Sequence, residues 1–186
     1  MSKGIAQTEG PQLLVRGELT FEDFYLGAQA KNVSSSTADG EAAALIGIRE
    51  SVAGFDVGAS AAWKRAISPV GGSDVNSLEF SGSVARSIGA LTPRVSIVWS
   101  PDDVGTTGRT VFAEAGASYV VSRSVVASAA VGRRHRIGGA DYTAWNAGLS
   151  WTAYKHFSVD VRYYDSDGDT GQPYRARVVA AGRLSF

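Results

Sequence analysis

The feature that most constrains this chain is a period-two alternation of apolar and polar side chains that recurs along its length. In residues 55–64 the odd positions are apolar, carrying Phe55, Val57, Ala59, Ala61 and Trp63. The even positions are mostly small or polar. Successive side chains of a β-strand point to opposite faces, so this pattern predicts strands with one apolar and one polar face. No stretch repeats apolar residues at helical spacing. The predicted class is all-β, in a single domain spanning residues 1–186.

Eleven complete strands are predicted, and their connections alternate between short and long. The strands cover residues 12–22, 24–32, 42–51, 54–66, 77–87, 91–100, 109–121, 124–135, 141–153, 156–165 and 174–186. Turns of one to three residues alternate with longer polar, glycine-rich loops, such as residues 101–108 and 166–173. Short turns at one end and long loops at the other are typical of a transmembrane, up-and-down antiparallel β-barrel of the bacterial outer membrane.

The start of the chain is interpreted as the remnant of one more strand. Single-chain bacterial barrels have even strand numbers, so residues 2–6 are predicted to be the upper end of a truncated first strand, which gives about twelve. The first ten residues carry no apolar core of a signal peptide. We therefore expect Met1 to be an internal residue of a longer chain, with the export signal upstream.

The aromatic residues favour an apolar wall in contact with lipid. They gather at two levels, near the turns at Phe21, Phe24, Phe55, Tyr119, Trp151, Tyr154, Phe157 and Phe186, and near the loops at Trp63, Phe80, Trp99, Phe112, Tyr142, Trp145, Tyr163 and Tyr174. Amphipathic rings prefer both interfaces of a bilayer. Between the levels the side chains of the apolar face are small, whereas the core of a soluble protein needs larger ones. A soluble sandwich or lipocalin-like binder is the alternative, and it would be extracted without detergent.

Composition excludes other functions. The 18 basic and 18 acidic residues balance, so no nucleic acid is expected as a partner. With no cysteine and two histidines, neither a metal site nor a cofactor is expected. His135 and His156 fall at opposite ends of the predicted barrel, which argues against a Ser–His hydrolase. No enzyme and no catalytic residue are therefore predicted.

Several motifs together resemble a known family. They are the opening K-G-I-A-Q-T-E-G-P of residues 3–11, the segment Phe24-Tyr25-Leu26-Gly27-Ala28 followed by Asn32-Val33-Ser34, the strand end Tyr163-Tyr164-Asp165, and the closing Leu184-Ser185-Phe186. The chain resembles the TorF-like family of bacterial outer-membrane porins, which has no assigned substrate and whose opening reads RG-I-S-Q-T-D-G-x-P. Lys3 and Ala6 depart from that pattern. The last strand also resembles those of bacterial barrels, and this implies that the barrel insertion machinery recognises Phe186.

If the apolar face meets lipid, the polar face lines the interior. The predicted pore-lining residues are Arg16, Glu18, Lys31, Arg49, Asp56, Lys64, Glu79, Arg94, Glu114, Arg134, Asp160, Arg162, Arg175, Arg177 and Arg183. Ten of these are basic and five acidic. Hydrated and apart, they would line a narrow passive pore for small polar solutes with a mild anion preference. Paired across the interior, they would plug a closed structural or adhesive barrel.

The expected partners follow from this location. They are outer-membrane lipid and lipopolysaccharide, small polar solutes and the barrel insertion machinery. The basic run Arg133-Arg134-His135-Arg136 at the loop end is the candidate for contact with lipopolysaccharide phosphates. The alternative is that these are ordinary basic side chains at an interface.

Overall fold

A computed structural model of the protein describes residues 3–8, 10–33, 38–69, 75–103, 108–168 and 171–186. Eleven strands form one antiparallel sheet in sequence order: β1 (Leu14–Phe21), β2 (Phe24–Asn32), β3 (Gly40–Val52), β4 (Phe55–Ile67), β5 (Asn76–Ala85), β6 (Leu91–Asp102), β7 (Thr110–Val120), β8 (Val125–Arg136), β9 (Tyr142–Tyr154), β10 (Phe157–Ser166) and β11 (Arg177–Leu184). A short 3-10 helix, Gln172–Tyr174, precedes β11. None of the helical segments in the described ranges could span a bilayer. The eleven complete strands are confirmed, with bounds that agree within three residues.

The turn between β3 and β4 has two residues, as predicted. Val52 pairs with Phe55, so the turn between β3 and β4 consists of Ala53 and Gly54 alone. Their φ angles are +52° and +79°. Two successive positive φ angles define the hairpin turn whose twist matches that of the flanking strands, and glycine adopts this conformation without a steric penalty.

The sheet curls strongly about its polar face. The amide of Ala6 donates to the carbonyl of Pro173, just before β11, at 3.1 Å. The next residue, Gln7, accepts a hydrogen bond from Lys31 Nζ on β2 at 2.8 Å. In a flat sheet, β2 and β11 would lie about nine strand spacings apart, or roughly 40 Å. Two adjacent residues can contact both ends only because the sheet bends round, so the polar face is concave.

The beginning of the chain corrects the predicted strand count. Lys3 and Gly4 have φ angles of +48° and +81°, which are incompatible with an extended strand at these residues. The described chain therefore has eleven strands and not about twelve. Ser2, the first residue of the predicted remnant, lies outside the described residues. Among the described strands, β1 and β11 each have one hydrogen-bonded neighbour.

The convex face carries the exposed apolar and aromatic side chains. Both aromatic levels are present there, with Phe21, Phe24, Phe55 and Tyr119 near the turns and Trp63, Phe80, Trp99, Trp145 and Tyr163 near the loops. Three members of the predicted loop-end level do not lie on the convex face: Phe112, Tyr142, and Tyr174, whose ring packs against that of Tyr142 at 5.3 Å. Phe112 and Tyr142 are only 6% and 1% exposed, because they share the concave face with Glu114 and Ala144.

The interior packs most densely toward the loop end. The most buried side chains are those of Ser100, Thr110 and Tyr142, at the loop ends of β6, β7 and β9. A small apolar cluster of Val33, Ala38 and Ala66 lies at the same end. Toward the tight turns the concave face is more open, and this division organises the candidate site.

Candidate functional site

The predicted pore-lining residues are distributed over almost every strand. Fourteen of the fifteen lie in strands, and Arg175 lies between the 3-10 helix and β11. Among the described residues, eleven of them form ion pairs with one another or with a further charged side chain: Arg16, Glu18, Lys31, Arg49, Lys64, Glu79, Arg94, Glu114, Arg134, Asp160 and Arg162. That they line a pore stays a prediction.

Five charged residues meet at the loop end, and we call them the loop-end cluster: Lys3, Lys64, Glu79, Asp103 and Arg134. Glu79 Oε2 lies 2.6 Å from Lys64 Nζ and 2.8 Å from Lys3 Nζ. Lys3 Nζ also lies 3.2 Å from Asp103 Oδ2, which Arg134 approaches to 2.5 Å. All five side chains are between 9% and 16% exposed. The cluster thus joins charges from β4, β5, β8, the residue after β6 and the N-terminal segment.

Asp103 is held in its charged form within this cluster. Burial raises the pKa of its carboxyl, but the nearby Lys3 and Arg134 lower it, and the net shift is below the ordinary value. Thr110 Oγ1 adds a long hydrogen bond at 3.5 Å. The cluster therefore carries three positive and two negative charges at neutral pH.

The N-terminal segment is anchored at several points beside the cluster. The Tyr142 hydroxyl donates to the carbonyl of Lys3 at 2.8 Å. Gly4 lies so close to β9 that a Cβ there would be 2.3 Å from the Cβ of Ala144. Lys31 donates to Gln7 and also pairs with Glu41 at 3.0 Å. These contacts hold residues 3–7 across the loop end of the concave face.

The half nearer the tight turns is built differently. Arg49 pairs with Glu18 at 2.5 Å and Arg94 pairs with Glu114 at 2.8 Å, yet both arginine side chains are 54% exposed. Arg49 also lies 3.9 Å above the ring of Tyr25. A cavity of about 800 Å³ opens here, and another of about 480 Å³ extends from this half to the N-terminal segment. The smaller is lined by side chains from six consecutive strands, β5 to β10, and by Lys3 and Gly4.

The remaining predicted residues have partners outside the loop-end cluster. Arg162 donates to Asn146 at 2.7 Å and to Ser128 at 2.7 Å, besides its pair with Asp160. Asp56 accepts a hydrogen bond from Ser51 Oγ at 2.6 Å. At the edge strand, Arg177 Nε donates to the carbonyl of Arg175 at 3.3 Å, and Arg183 is exposed.

The basic run at residues 133–136 is divided by the strand alternation. Arg134 belongs to the loop-end cluster, and Arg136 donates to the Tyr174 hydroxyl at 2.9 Å. Arg133 and His135 are exposed on the opposite face. His135 Nδ1 lies 2.6 Å from Asp141 Oδ2, and this hydrogen bond lowers the pKa of Asp141. Contact of this basic run with lipopolysaccharide stays a prediction, and Arg133 and His135 are its exposed members.

Sequence reasoning missed several residues of this concave face. Tyr25 and Glu41 could have been found, because each lies an even number of residues from an assigned member, Lys31 on β2 and Arg49 on β3. Lys3 and Asp103 lie outside strands, so alternation gave no signal for them.

The comparisons with known proteins bear on the fold. No protein-family model and no curated protein matches the chain, so nothing confirms the resemblance to the TorF-like family. Solved structures do match over nearly its whole length. The KdgM porin superposes with a TM-score of 0.66 at 11% identity, covering 94% of this chain and 91% of that one. The NanC porin gives 0.70 at 5% identity, covering 94% and 93%.

A third solved structure has a similar fold. A loop-deletion mutant of OmpT, an outer membrane protein of Vibrio cholerae, gives a TM-score of 0.59 at 16% identity and covers 91% of this chain and 61% of its own. The fold is therefore the up-and-down antiparallel fold of outer-membrane porin barrels, as the alternation and the connections predicted. At these identities the likeness concerns the fold alone.

Proposed function

We propose that this chain is a porin of the bacterial outer membrane. The observation that carries the proposal is an apolar convex wall wrapped around a charged, water-accessible interior. Val95 on β6 is 56% exposed on the convex side. Arg94 and Ser96, its neighbours on the same strand, line the 800 Å³ cavity. A bilayer favours this arrangement, because Lys or Arg on the lipid face costs about 2–4 kcal/mol at the midplane.

The location in the outer membrane is supported by the two aromatic levels of the convex face. Rings such as Phe21 and Trp99 are amphipathic or bulky groups that suit the boundary between acyl chains and headgroups. The wall between the levels would contact lipid. Arg133 and His135 lie just beyond the loop-end level, where they would reach lipopolysaccharide phosphates.

The transport activity we propose is passive passage of small polar solutes through a narrow pore. Side chains just fill an eight-stranded barrel, whereas barrels of 16–18 strands leave a wide aqueous channel. Eleven strands fall between these limits. The excess of basic over acidic residues on the concave face favours anions, because arginine and lysine attract them.

One observation favours a second candidate, a closed structural or adhesive barrel. The loop-end interior is filled by side chains of which Ser100, Thr110 and Tyr142 are at most 2% exposed. Salt-bridged charges occupy the adjacent space. If the loop-end cluster stays packed in the membrane, no solute would pass.

Recording currents across a planar lipid bilayer distinguishes the two. The refolded chain is added to the bilayer, and its folded state is checked by heat-modifiable mobility on a gel. A porin gives discrete conductance steps and, in a KCl gradient, a reversal potential of the sign expected for anion preference. Folded protein that gives no steps at any voltage would refute the porin and leave the closed barrel.

A further inference from the structure

The loop-end cluster differs from the other ion pairs of the interior in one respect. Lys64, Glu79 and Arg134 project from strands of the wall, and Asp103 follows β6 directly. Lys3 alone enters from a segment that is not part of the sheet and contacts carboxylates from two wall positions. Its side chain therefore occupies space that the wall encloses.

We propose that Lys3 determines the ion selectivity of this pore and limits its conductance, by completing a net-positive constriction at the loop end. The inference rests on the proposed porin function. It goes further because it assigns the anion preference to one residue, and not to the summed charge of the concave face.

The charge of the constriction depends on Lys3. The cluster holds Lys3, Lys64 and Arg134 against Glu79 and Asp103, so its net charge is +1. Without the Lys3 ammonium the sum is zero, and with a carboxylate in its place the sum is −1. Because these side chains are 9% to 16% exposed, little water screens this charge from an ion that passes beside them.

Lys3 is held in place by contacts of its own backbone and of the residues that follow it. Its carbonyl accepts the hydrogen bond of Tyr142, a side chain only 1% exposed. The following Gly4 has a φ of +81° and packs against Ala144. Ala6 and Gln7 then bind the two ends of the sheet. A fixed ammonium at this place both narrows the passage and sets the local charge.

The rest of the interior contributes less to selectivity. The Arg94–Glu114 pair beside the 480 Å³ cavity is neutral as a pair, and its arginine is 54% exposed. Water in the wider half screens such charges, so an ion there meets a weaker field than at the constriction. Ion selectivity is therefore expected to depend most on the charged groups at the narrowest part of the passage.

The test compares four variants of the full chain in planar bilayers, each checked for heat-modifiable mobility. Lys3→Gln removes the charge, Lys3→Glu reverses it, and Lys3→Arg keeps it. The matched control is Lys155→Gln, the same chemical change in the exposed turn between β9 and β10. Single-channel conductance and the reversal potential in a KCl gradient are measured for each.

We expect Lys3→Gln to raise the conductance and to move the reversal potential toward zero, and Lys3→Glu to invert its sign. Lys3→Arg and Lys155→Gln should match the unsubstituted chain. Should Lys3→Glu fail to fold, Lys3→Gln still decides, because it introduces no repulsion with Glu79 or Asp103. If the Lys3 variants conduct and their reversal potential equals that of the unsubstituted chain, this inference is overturned and the proposed porin function stands. A chain that folds but never conducts, in any variant, would overturn the porin itself.

Discussion

The two halves of the concave face are made by the same strands and yet differ in how they fill space. On β6, Ser100 at the loop end is completely buried, whereas Arg94 nearer the tight turns is 54% exposed. On β4, Lys64 is 9% exposed, whereas Asp56 is exposed beside the larger cavity. The alternation of polar and apolar residues is equally regular in both halves, so it does not decide which half is filled.

The difference lies in what crosses the interior. Residues 3–7 bring a charge, a backbone segment and several hydrogen bonds to the loop end, and in the described structure the tight-turn half contains no such segment. Strand alternation therefore sets which face a side chain occupies, and a crossing segment sets whether that face is packed or open. Substitutions that separate these two factors test the comparison.

The largest effect is expected when an arginine is introduced at either of two adjacent positions that lie on opposite faces of the sheet. Val95→Arg places a charge on the convex wall, whereas Ser96→Arg places it in the interior opposite Glu114. In lipid, Val95→Arg should lower the free energy of unfolding by about 2–4 kcal/mol, and Ser96→Arg should cost far less. Denaturant unfolding in lipid vesicles measures both. Equal costs would mean that the convex face does not meet lipid.

The crossing segment can be displaced through Gly4. A φ of +81° strains any other residue, and an alanine Cβ would lie 2.3 Å from that of Ala144. Gly4→Ala should therefore cost about 1–3 kcal/mol locally and raise the single-channel conductance, because the segment must move away from β9. Gly10→Ala is the control, since no atom lies within 4 Å of its added Cβ. A conductance unchanged in Gly4→Ala would show that the segment does not narrow the passage.

Replacing an arginine by glutamine should lower the free energy of unfolding more in the loop-end half than in the tight-turn half. Arg134→Gln leaves the buried Asp103 with one strong partner fewer and should destabilise the protein by about 1–3 kcal/mol. Arg94→Gln breaks an exposed pair and should cost roughly 0–1 kcal/mol. Urea titrations of both variants in detergent micelles measure the difference. Similar midpoints would refute the contrast in burial between the halves.

The smallest effect concerns acid. In the folded protein the pKa of Asp103 lies below its ordinary value, so the charged carboxylate contributes stability above that value and loses it as the pH falls through the folded pKa. We expect conductance and stability to be insensitive to Asp103 from neutral pH down to about 4, and to change only below. Asp103→Asn should reduce this change in conductance and stability at low pH. A dependence on Asp103 that begins near neutral pH would contradict the pairing with Lys3 and Arg134.

Much of the fold could be read from the sequence, because alternation is a local property. It predicted the eleven strands and the face of residues such as Lys31, Glu79 and Arg162. The aromatic type of Phe112 and Tyr142 does not indicate their face, whereas their spacing from Glu114 and Ala144 places them on the concave one. The partner of Lys3 could not be predicted, because Asp103 is 100 residues away and neither residue lies in a strand.

The central claim is that the convex face meets lipid while the concave face meets water, and thiol labelling tests it most directly. The chain has no cysteine, so Arg94→Cys and Val95→Cys each introduce a single thiol at adjacent positions on opposite faces. The variants are refolded into lipid vesicles and treated with a membrane-impermeant thiol reagent. We predict that the thiol at position 94 reacts and the one at position 95 is protected. Rapid labelling at position 95, or labelling there alone, would contradict the claim.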